Sequence, residues 1–315
     1  MLKVFCVGDN NVDIYLEQGI VFPGGCALNV AAYAASLGHA VTYVSTVGND
    51  RLGKLQLESL ADLGVDVSKA HVIDEQTAWA YIILRDGDRT FGNHCSGAKA
   101  KLPVSIEDVA AGQNGEYDFL YTSTDSFYAP GAFEQFGKSD TPAFCDFSSR
   151  WTRESLKAGC GIFPYVAMSC PNMSLLEVKS LLKKCVEDGA KMAIGTMDMN
   201  GSYVYNGRKF YYQEAYATSV VDTLGAGDSF LAMFATSYFG GLKELNSCAK
   251  MLREFDGMTQ NIQDCEDNLI RKSMSFAALF AAKTCQYHGA FGHEIPFDTS
   301  MVARSDCDYK RVTRE

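Results

Sequence analysis

Short β-branched runs alternate with helical spacing along most of this chain, and that alternation limits its possible folds more than any other feature. Val4 to Val7 reads as a strand, Cys26 to Leu37 as a helix, Val41 to Val47 as a strand and Leu52 to Leu63 as a helix. The pattern returns at Tyr117 to Tyr121, Pro142 to Asp146, Tyr165 to Met168 and Met192 to Thr196, with helical segments between them. Strands separated by whole helices run parallel, and a parallel sheet needs helices on both faces. A three-layer αβα domain around a mainly parallel sheet is therefore expected.

Two segments break the alternation. Thr77 to Leu84, the polar stretch Arg85-Asp86-Gly87-Asp88-Arg89 and Thr90 to His94 read as a hairpin around an Asp-Gly turn. Lying between α/β units, it is expected to stand off the main sheet in a small β flap, drawn from residues 9–22 and 77–98. Ser202 to Tyr205, Asn206-Gly207 and Lys209 to Tyr212 give a second hairpin pattern. Trp79, Tyr81 and Ile83 alternate along the first flap strand, which suits a contact with a second subunit or packing on the chain's own core. Residues 254–267 read as an acidic insertion, and residues 298–315 as a polar tail beyond a domain of residues 1–297.

Charge narrows the partners. The formal net charge of −10 leaves nothing basic to offset phosphate repulsion, so no nucleic acid is expected to bind. No apolar stretch reaches the roughly 18 residues that span a bilayer, and Met1-Leu2-Lys3-Val4-Phe5 runs straight into the first strand pattern without a secretory signal. The expectation is a cytoplasmic protein with no membrane partner. Its eleven cysteines are scattered and lack a C-x-x-C, as reduced thiols would be.

Chemistry concentrates between Thr218 and Phe239. Val220 and Val221 end an extended piece, and Phe230, Leu231, Phe234, Ala235 and Tyr238 have helical spacing. Gly225-Ala226-Gly227 must then be a tight turn feeding a helix N-terminus, where unpaired N–H groups and the helix dipole favour anions. Such a turn can hold a phosphoryl group during transfer. Asp228 lies in the first helical turn, where aspartate commonly serves as a cap.

The string Asp222-Thr223-Leu224-Gly225-Ala226-Gly227-Asp228 resembles the C-terminal signature of the ribokinase-like (PfkB) carbohydrate kinases. Gly24-Gly25-Cys26-Ala27-Leu28-Asn29-Val30-Ala31 resembles that family's early G-G-x-x-x-N-x-A segment, and Val47-Gly48-Asn49-Asp50-Arg51-Leu52-Gly53 its V-G-x-D-x-x-G. The resemblance implies a ribokinase-like fold and phosphoryl transfer from ATP, with Mg²⁺ and possible use of a monovalent cation such as K⁺. It implies a base at Asp228, with Gly225, Ala226 and Gly227 as the anion hole. Asp9, Asp13, Gly24, Gly25 and Asn29 would hold sugar hydroxyls, while a turn or cap role suits Asp9 and Asp13 equally well. Thr196, Asp198, Gly201, Thr223, Gly225, Gly227 and His288 would face the nucleotide, and pairing of two flaps would make a homodimer.

A narrower likeness is to fructoselysine 6-kinases. It runs through Gly8-Asp9-Asn10, Val12-Asp13-Ile14-Tyr15, Asp88-Arg89-Thr90-Phe91-Gly92, Asp146-Phe147-Ser148 and Gln286-Tyr287-His288-Gly289-Ala290. It implies transfer to the 6-hydroxyl of a sugar–amino acid conjugate, whose carboxylate Arg89 could meet. The alternatives are a kinase of the same family acting on ribose, fructose, a keto-deoxy sugar acid or a nucleoside, and a catalytically silent ligand-binding relative. Some positions depart from the family. Ser169-Cys170-Pro171-Asn172 stands where many members have Asn-x-x-Glu, so the metal ligands are unknown from sequence. Asp198 replaces a glycine beside the expected phosphate path, and Asp146-Phe147-Ser148-Ser149-Arg150 lacks the Asn of a D-x-N-x-R pattern.

Overall fold

The structure, a computed structural model, describes residues 1–85, 88–252 and 262–302. Strand β1 (Lys3–Val7) is followed by β2 (Asn11–Tyr15), β3 (Ile20–Gly24), helix α1 (Cys26–Ser36), β4 (Ala40–Val44) and β5 (Thr46–Gly48). Helix α2 (Arg51–Asp62), β6 (His71–Ile73), β7 (Trp79–Arg85) and β8 (Asp88–Cys95) lead to two short helices, α3 (Gly97–Lys101) and α4 (Ile106–Ala110). Alternation resumes with β9 (Phe119–Ser123), α5 (Ala132–Gln135), β10 (Ala143–Asp146), α6 (Arg153–Cys160), β11 (Tyr165–Ser169), α7 (Leu175–Glu187) and β12 (Met192–Thr196). The hairpin β13 (Ser202–Tyr205) and β14 (Phe210–Gln213) precedes the long helices α8 (Ala226–Leu252) and α9 (Ile262–Thr284) and the short β15 (Ile295–Pro296).

The main sheet has the order β14-β13-β12-β11-β10-β9-β1-β4. Every pairing from β4 to β12 is parallel, and β13 and β14 close one edge in antiparallel fashion. One face packs on α1, α8 and α9, with Phe119, Tyr121, Phe144, Phe234 and Tyr238 in that core. The other packs on α4 to α7 around Phe5, Phe136, Phe147 and Phe163. These are the expected three layers, and strands buried on both sides explain the near-continuous apolar runs. The run read as one strand, Val41 to Val47, is two. Beyond Val44 the chain leaves the main sheet, and β5 pairs with β6 in a separate two-stranded sheet.

A second sheet of order β15-β3-β2-β7-β8 forms the flap. A bulge lies opposite Ala80 to Ile82, with its extra residue on β8, so β7 keeps its alternation. Trp79 and Tyr81 pack in the same cluster as α2 residues Leu52 and Leu55, while Ile82, on the opposite face, packs with Tyr15, Phe22 and Leu224. Trp79, Tyr81 and Ile83 therefore do not make one uncovered face. Of the proposed acidic insertion, residues 254–261 lie outside the described residues, and 262–267 begin α9. Most of the tail also lies outside them. Among the described residues nine cysteines are free thiols, as expected, whereas Cys95 is disulfide-bonded, against the expectation of reduced thiols. Among the described residues no helix is long and apolar enough to cross a membrane.

Candidate active site

In a parallel sheet the loops leaving the carboxyl ends of the strands converge on one edge, the usual place for a ligand. Here those loops are joined by backbone bonds. Thr124 N donates to Asp146 O (2.8 Å), Ser169 N to Ser148 O (2.8 Å) and Cys170 N to Thr196 O (2.7 Å). The start of α8 faces this edge from the C-terminal half of the chain.

Helix α8 starts at Ala226 because Gly225 turns the chain with φ +75°. A Cβ there would sit 2.6 Å from Ala290 Cβ and 2.9 Å from the Tyr33 hydroxyl, so only glycine fits. The first i→i−4 bond of the helix is Ser229 N to Gly225 O (2.8 Å). The N–H groups of Ala226, Gly227 and Asp228 precede it and form the positive end of the helix dipole. The Ala226 N–H turns back to Thr223 O (3.3 Å). Around Gly227 the space is open.

Asp228 is 9% exposed, and its Oδ2 accepts a 2.7 Å hydrogen bond from Asn29 Nδ2 on α1. The Asn29 Oδ1 is buried without a partner among the described residues. An unpaired acceptor beside a carboxylate is a natural seat for a hydroxyl. The structure thus joins Asn29 and Asp228, which sequence alone could only list side by side.

Gly24, Gly25 and Asp13 form the adjoining wall. A Cβ on Gly24 would lie 2.1 Å from Asp13 Oδ2, and one on Gly25, at φ +110°, would strike the Asn10 backbone. Asp9 departs from the expectation that it holds a sugar hydroxyl. Its oxygens accept from Cys26 N (2.8 Å), Ala27 N (3.1 Å) and Ser123 Oγ (2.7 Å), so it caps α1 from a distance. Arg89 belongs to β8, and its side chain lies outside the described residues.

Several further residues join the site, some named in the sequence only as parts of motifs (Asp222, Asp146, Arg150) and others missed altogether (Asp125, Lys99). Asp222 is fully buried and accepts from Tyr15 Oη (2.5 Å), Leu224 N (2.9 Å) and Gly289 N (3.1 Å). It ties the flap, the glycine turn and the 285–290 loop together. Asp146, at the end of β10, comes within 4.8 Å of Asp228 and Cys26, measured between the atoms that could hold a metal. Burial, then the Asp228 charge, push its carboxyl up to about 8. Asp125 Oδ1 pairs with Arg150 Nη2 at 2.9 Å. Lys99 Nζ donates to Asn10 O at 2.6 Å, and burial holds this ammonium below the usual lysine range. Strand-end position was the available signal for Asp146. Lys99 and Asp125 had none, because the fold alone brings them together.

The nucleotide-side expectations are scattered by comparison. Thr196 ends β12, and Asp198 is exposed at φ +49°. Gly201 is required by contact with β14, since its Cβ would lie 2.2 Å from Gln213 O. Thr223 is half-buried in the glycine turn, and His288 is exposed with its ring 6.3 Å from that of Tyr15. Ser169 O accepts from Trp151 Nε1 (2.8 Å), and Asn172 turns the chain at φ +63°. Counted from Asn172, the carboxylate of an Asn-x-x-Glu pattern falls on Leu175, an exposed leucine. Glu177 is engaged in a capping box with Ser174. Val220, Val221, Phe276 and Leu279 are exposed large apolar residues close to the glycine turn in sequence or through α9. The segment before the turn lies on α9, with Tyr216 Oη 3.0 Å from Ser275 Oγ and Val221 N donating to Cys285 O (2.8 Å).

The profile of pfkB family carbohydrate kinases matches residues 1–294. The chain belongs to the PfkB family. It is 31% identical over 292 residues to fructoselysine 6-kinase of Escherichia coli, covering 92% of this chain and 100% of that protein. It is also 31% identical to fructosamine kinase FrlD of Bacillus subtilis, covering 94% and 95%. The fold matches Arabidopsis thaliana ribokinase complexed with ribose and ATP (TM-score 0.70, 21% identity, 95% and 97% covered). Aminoimidazole riboside kinase from Salmonella enterica is similar (TM-score 0.68, 18% identity, 95% and 98% covered). This PfkB protein is accordingly a phosphotransferase with a hydroxyl acceptor, built on a ribokinase-like fold.

Proposed function

We propose that this PfkB kinase moves the γ-phosphoryl group of Mg·ATP to the primary 6-hydroxyl of a fructosamine-type acceptor such as fructoselysine. The observation that carries the reading is Asp228 itself, buried at the mouth of α8, oriented by Asn29 and set among N–H groups that no carbonyl of the helix can use. Asp228 takes the hydroxyl proton as transfer proceeds. The amides of Gly225 to Gly227 meet the charge on the moving phosphoryl oxygens. The 31% identity to fructosamine kinases supports the acceptor class.

The nucleotide base would lie over the apolar residues Val220, Val221, Phe276 and Leu279, exposed beside the glycine turn. For the divalent ion the donor set is suitable. Asp146 and Asp228 offer hard oxygen ligands close together, and the raised Asp146 carboxyl is what a cation would relieve. When bound, the ion supplies charge neutralisation on the phosphates. Flap closure would exclude water from the transfer. Leu16 and Phe91 are exposed on the flap, consistent with a homodimer through it, which sedimentation velocity would test.

An ADP-release panel over fructoselysine, other fructosamines, fructose, ribose, a keto-deoxy sugar acid and nucleosides tests the acceptor. Fructosamines should give the highest kcat/KM. A neutral sugar or nucleoside above them would move the protein elsewhere in the family, and ATP binding without turnover on any acceptor would make it a silent relative. Asp228→Asn should keep the fold and lower kcat by about 10²–10⁴. Near-normal turnover in that variant would sink the assignment of the base.

A further inference from the structure

One wall of the acceptor side carries charges that phosphoryl transfer does not use. Asp125, just after β9, sends Oδ1 to Arg150 Nη2 at 2.9 Å. Its Oδ2 lies 3.9 Å from the Cys26 thiol, a weak donor, and has no stronger partner among the described residues. The Asp125 side chain is 18% exposed, while its Arg150 partner is 76% exposed, so the pair is solvated on the arginine side. Burial and the nearby Asp9 raise the Asp125 carboxyl, as expected of a carboxylate incompletely compensated.

The position of that oxygen matters. Cys26 Sγ is within 4.8 Å of a carboxylate oxygen of Asp228 and 3.9 Å from Asp125 Oδ2. One sulfur therefore links the proposed base to the spare oxygen. The two carboxyl groups thus flank the same thiol, so an acceptor whose terminal hydroxyl meets Asp228 can turn the substituent of its other end towards Asp125. The neighbouring charges favour a cation there. Asp9, Asp125 and Asp228 stand against Lys99 and Arg150, and both cations are already engaged, with Asn10 O and with Asp125 Oδ1.

We infer that Asp125 is the counter-ion for a protonated amine on the first carbon of the acceptor, and so selects fructosamines over neutral sugars. The inference rests on the proposed acceptor class and adds the residue that would enforce it. An ammonium at Oδ2 forms a charge-assisted hydrogen bond where the unliganded protein offers only a thiol. A neutral sugar leaves that oxygen under-satisfied in a largely buried place, which weakens its binding. Lys99 and Arg150 keep free N–H groups beside it, so an acceptor that also carries a carboxylate meets no repulsion.

The test compares 1-deoxy-1-methylaminofructose with its oxygen isostere 1-O-methylfructose, in wild type and Asp125→Asn. Wild type should prefer the amine by roughly 10–100-fold in kcat/KM, the worth of one charge-assisted bond, with the difference in KM. Asp125→Asn should bring the ratio close to one by losing the amine, not the ether, while Asp125→Glu should keep a preference. A preference that survives in Asp125→Asn overturns the inference and leaves the acceptor class standing. Equal use of both compounds by wild type overturns it without any variant, even if Asp125→Asn fails to fold. Turnover of neither compound would remove the fructosamine reading together with it.

Discussion

The proposed acceptor side and the proposed nucleotide side of this site are built differently. On the acceptor side, residues far apart in sequence meet in buried, directed contacts: Asn29 on Asp228, Asp13 over Gly24, Asp9 on the start of α1, and Tyr15 on Asp222. On the nucleotide side the expected residues are exposed or spent on local structure, as with Asp198, Asn172 and the Ser174–Glu177 capping box. A polar group fixed by buried partners keeps its geometry without a ligand, whereas exposed loop residues gain theirs from what binds. On the proposed reading the acceptor half is preorganised, and the nucleotide half is completed by its ligand.

Gly225→Ala is the harshest way to break that contrast. The new methyl meets Ala290 and Tyr33 at under 3 Å, and φ +75° disfavours it independently. The turn must shift, costing about 1–3 kcal/mol in stability and an expected ~10²–10³ in kcat through misplaced anion-hole donors. Gly227→Ala is the control, because nothing lies within 4 Å of its Cβ. Thermal melting and steady-state rates on the pair should separate by these amounts. Equal effects would mean that the strain at Gly225 is unimportant.

Next in size is Asn29→Ala. It removes the 2.7 Å bond that orients Asp228 inside a buried pocket. The loss of a hydrogen bond to a charged group is worth about 1.5–3 kcal/mol, so kcat/KM for the acceptor should fall roughly 10–100-fold while KM for ATP stays near normal. A change confined to ATP would place Asn29 on the wrong side of the site.

Much of this was legible beforehand. The strand–helix alternation foretold the parallel sheet, since periodicity reports burial on both faces. The Gly225-Ala226-Gly227 turn could be placed because glycine at a helix start has a short-range conformational cause. What stayed hidden was long-range. For Asp9 the sequence leaves a sugar ligand and a cap equally open, because it cannot show that the N–H groups of Cys26 and Ala27 claim the carboxylate. Asp125 and Arg150 stand on separate loops and Lys99 on α3, and only the packing of β9, β10 and α3 makes them neighbours. Trp79 and Tyr81 alternate as the sequence shows, but only the packing of β7 with α2 reveals that the chain's own core covers their face.

Asp198→Gly probes the nucleotide half with a smaller effect. The residue is exposed at φ +49°, a conformation that glycine adopts freely, so the fold should not suffer. Removing one exposed charge beside the expected phosphate path should lower KM for ATP by a few-fold, at the scale of about 1 kcal/mol for a solvated pair. The acceptor KM should not move. The effect should shrink with added salt, because exposed charges are screened over about 10 Å at 0.1 M. An acceptor KM that changes instead would show the two halves to be coupled through this loop.

An effect on stability, separate from the rate effects above, centres on Asp146, which ends β10 within 4.8 Å of Asp228. Its carboxyl rises from 3.8 to about 8 in the folded protein, because burial and Asp228 both oppose its charge. A pKa raised by folding means that the native state holds the proton more tightly than the unfolded chain. The resulting stability is fully present below about pH 4 and is lost as pH climbs through about 8. Chelated, unliganded protein should therefore melt progressively lower across that window than Asp146→Asn, whose amide carries no charge to bury. Added Mg²⁺ and nucleotide should narrow the gap at the alkaline end, by favouring the ionised carboxylate that burial penalises. Parallel melting curves for the two proteins from pH 5 to 9 would show that Asp146 is already compensated without a ligand, and the nucleotide half would then be as preorganised as the acceptor half.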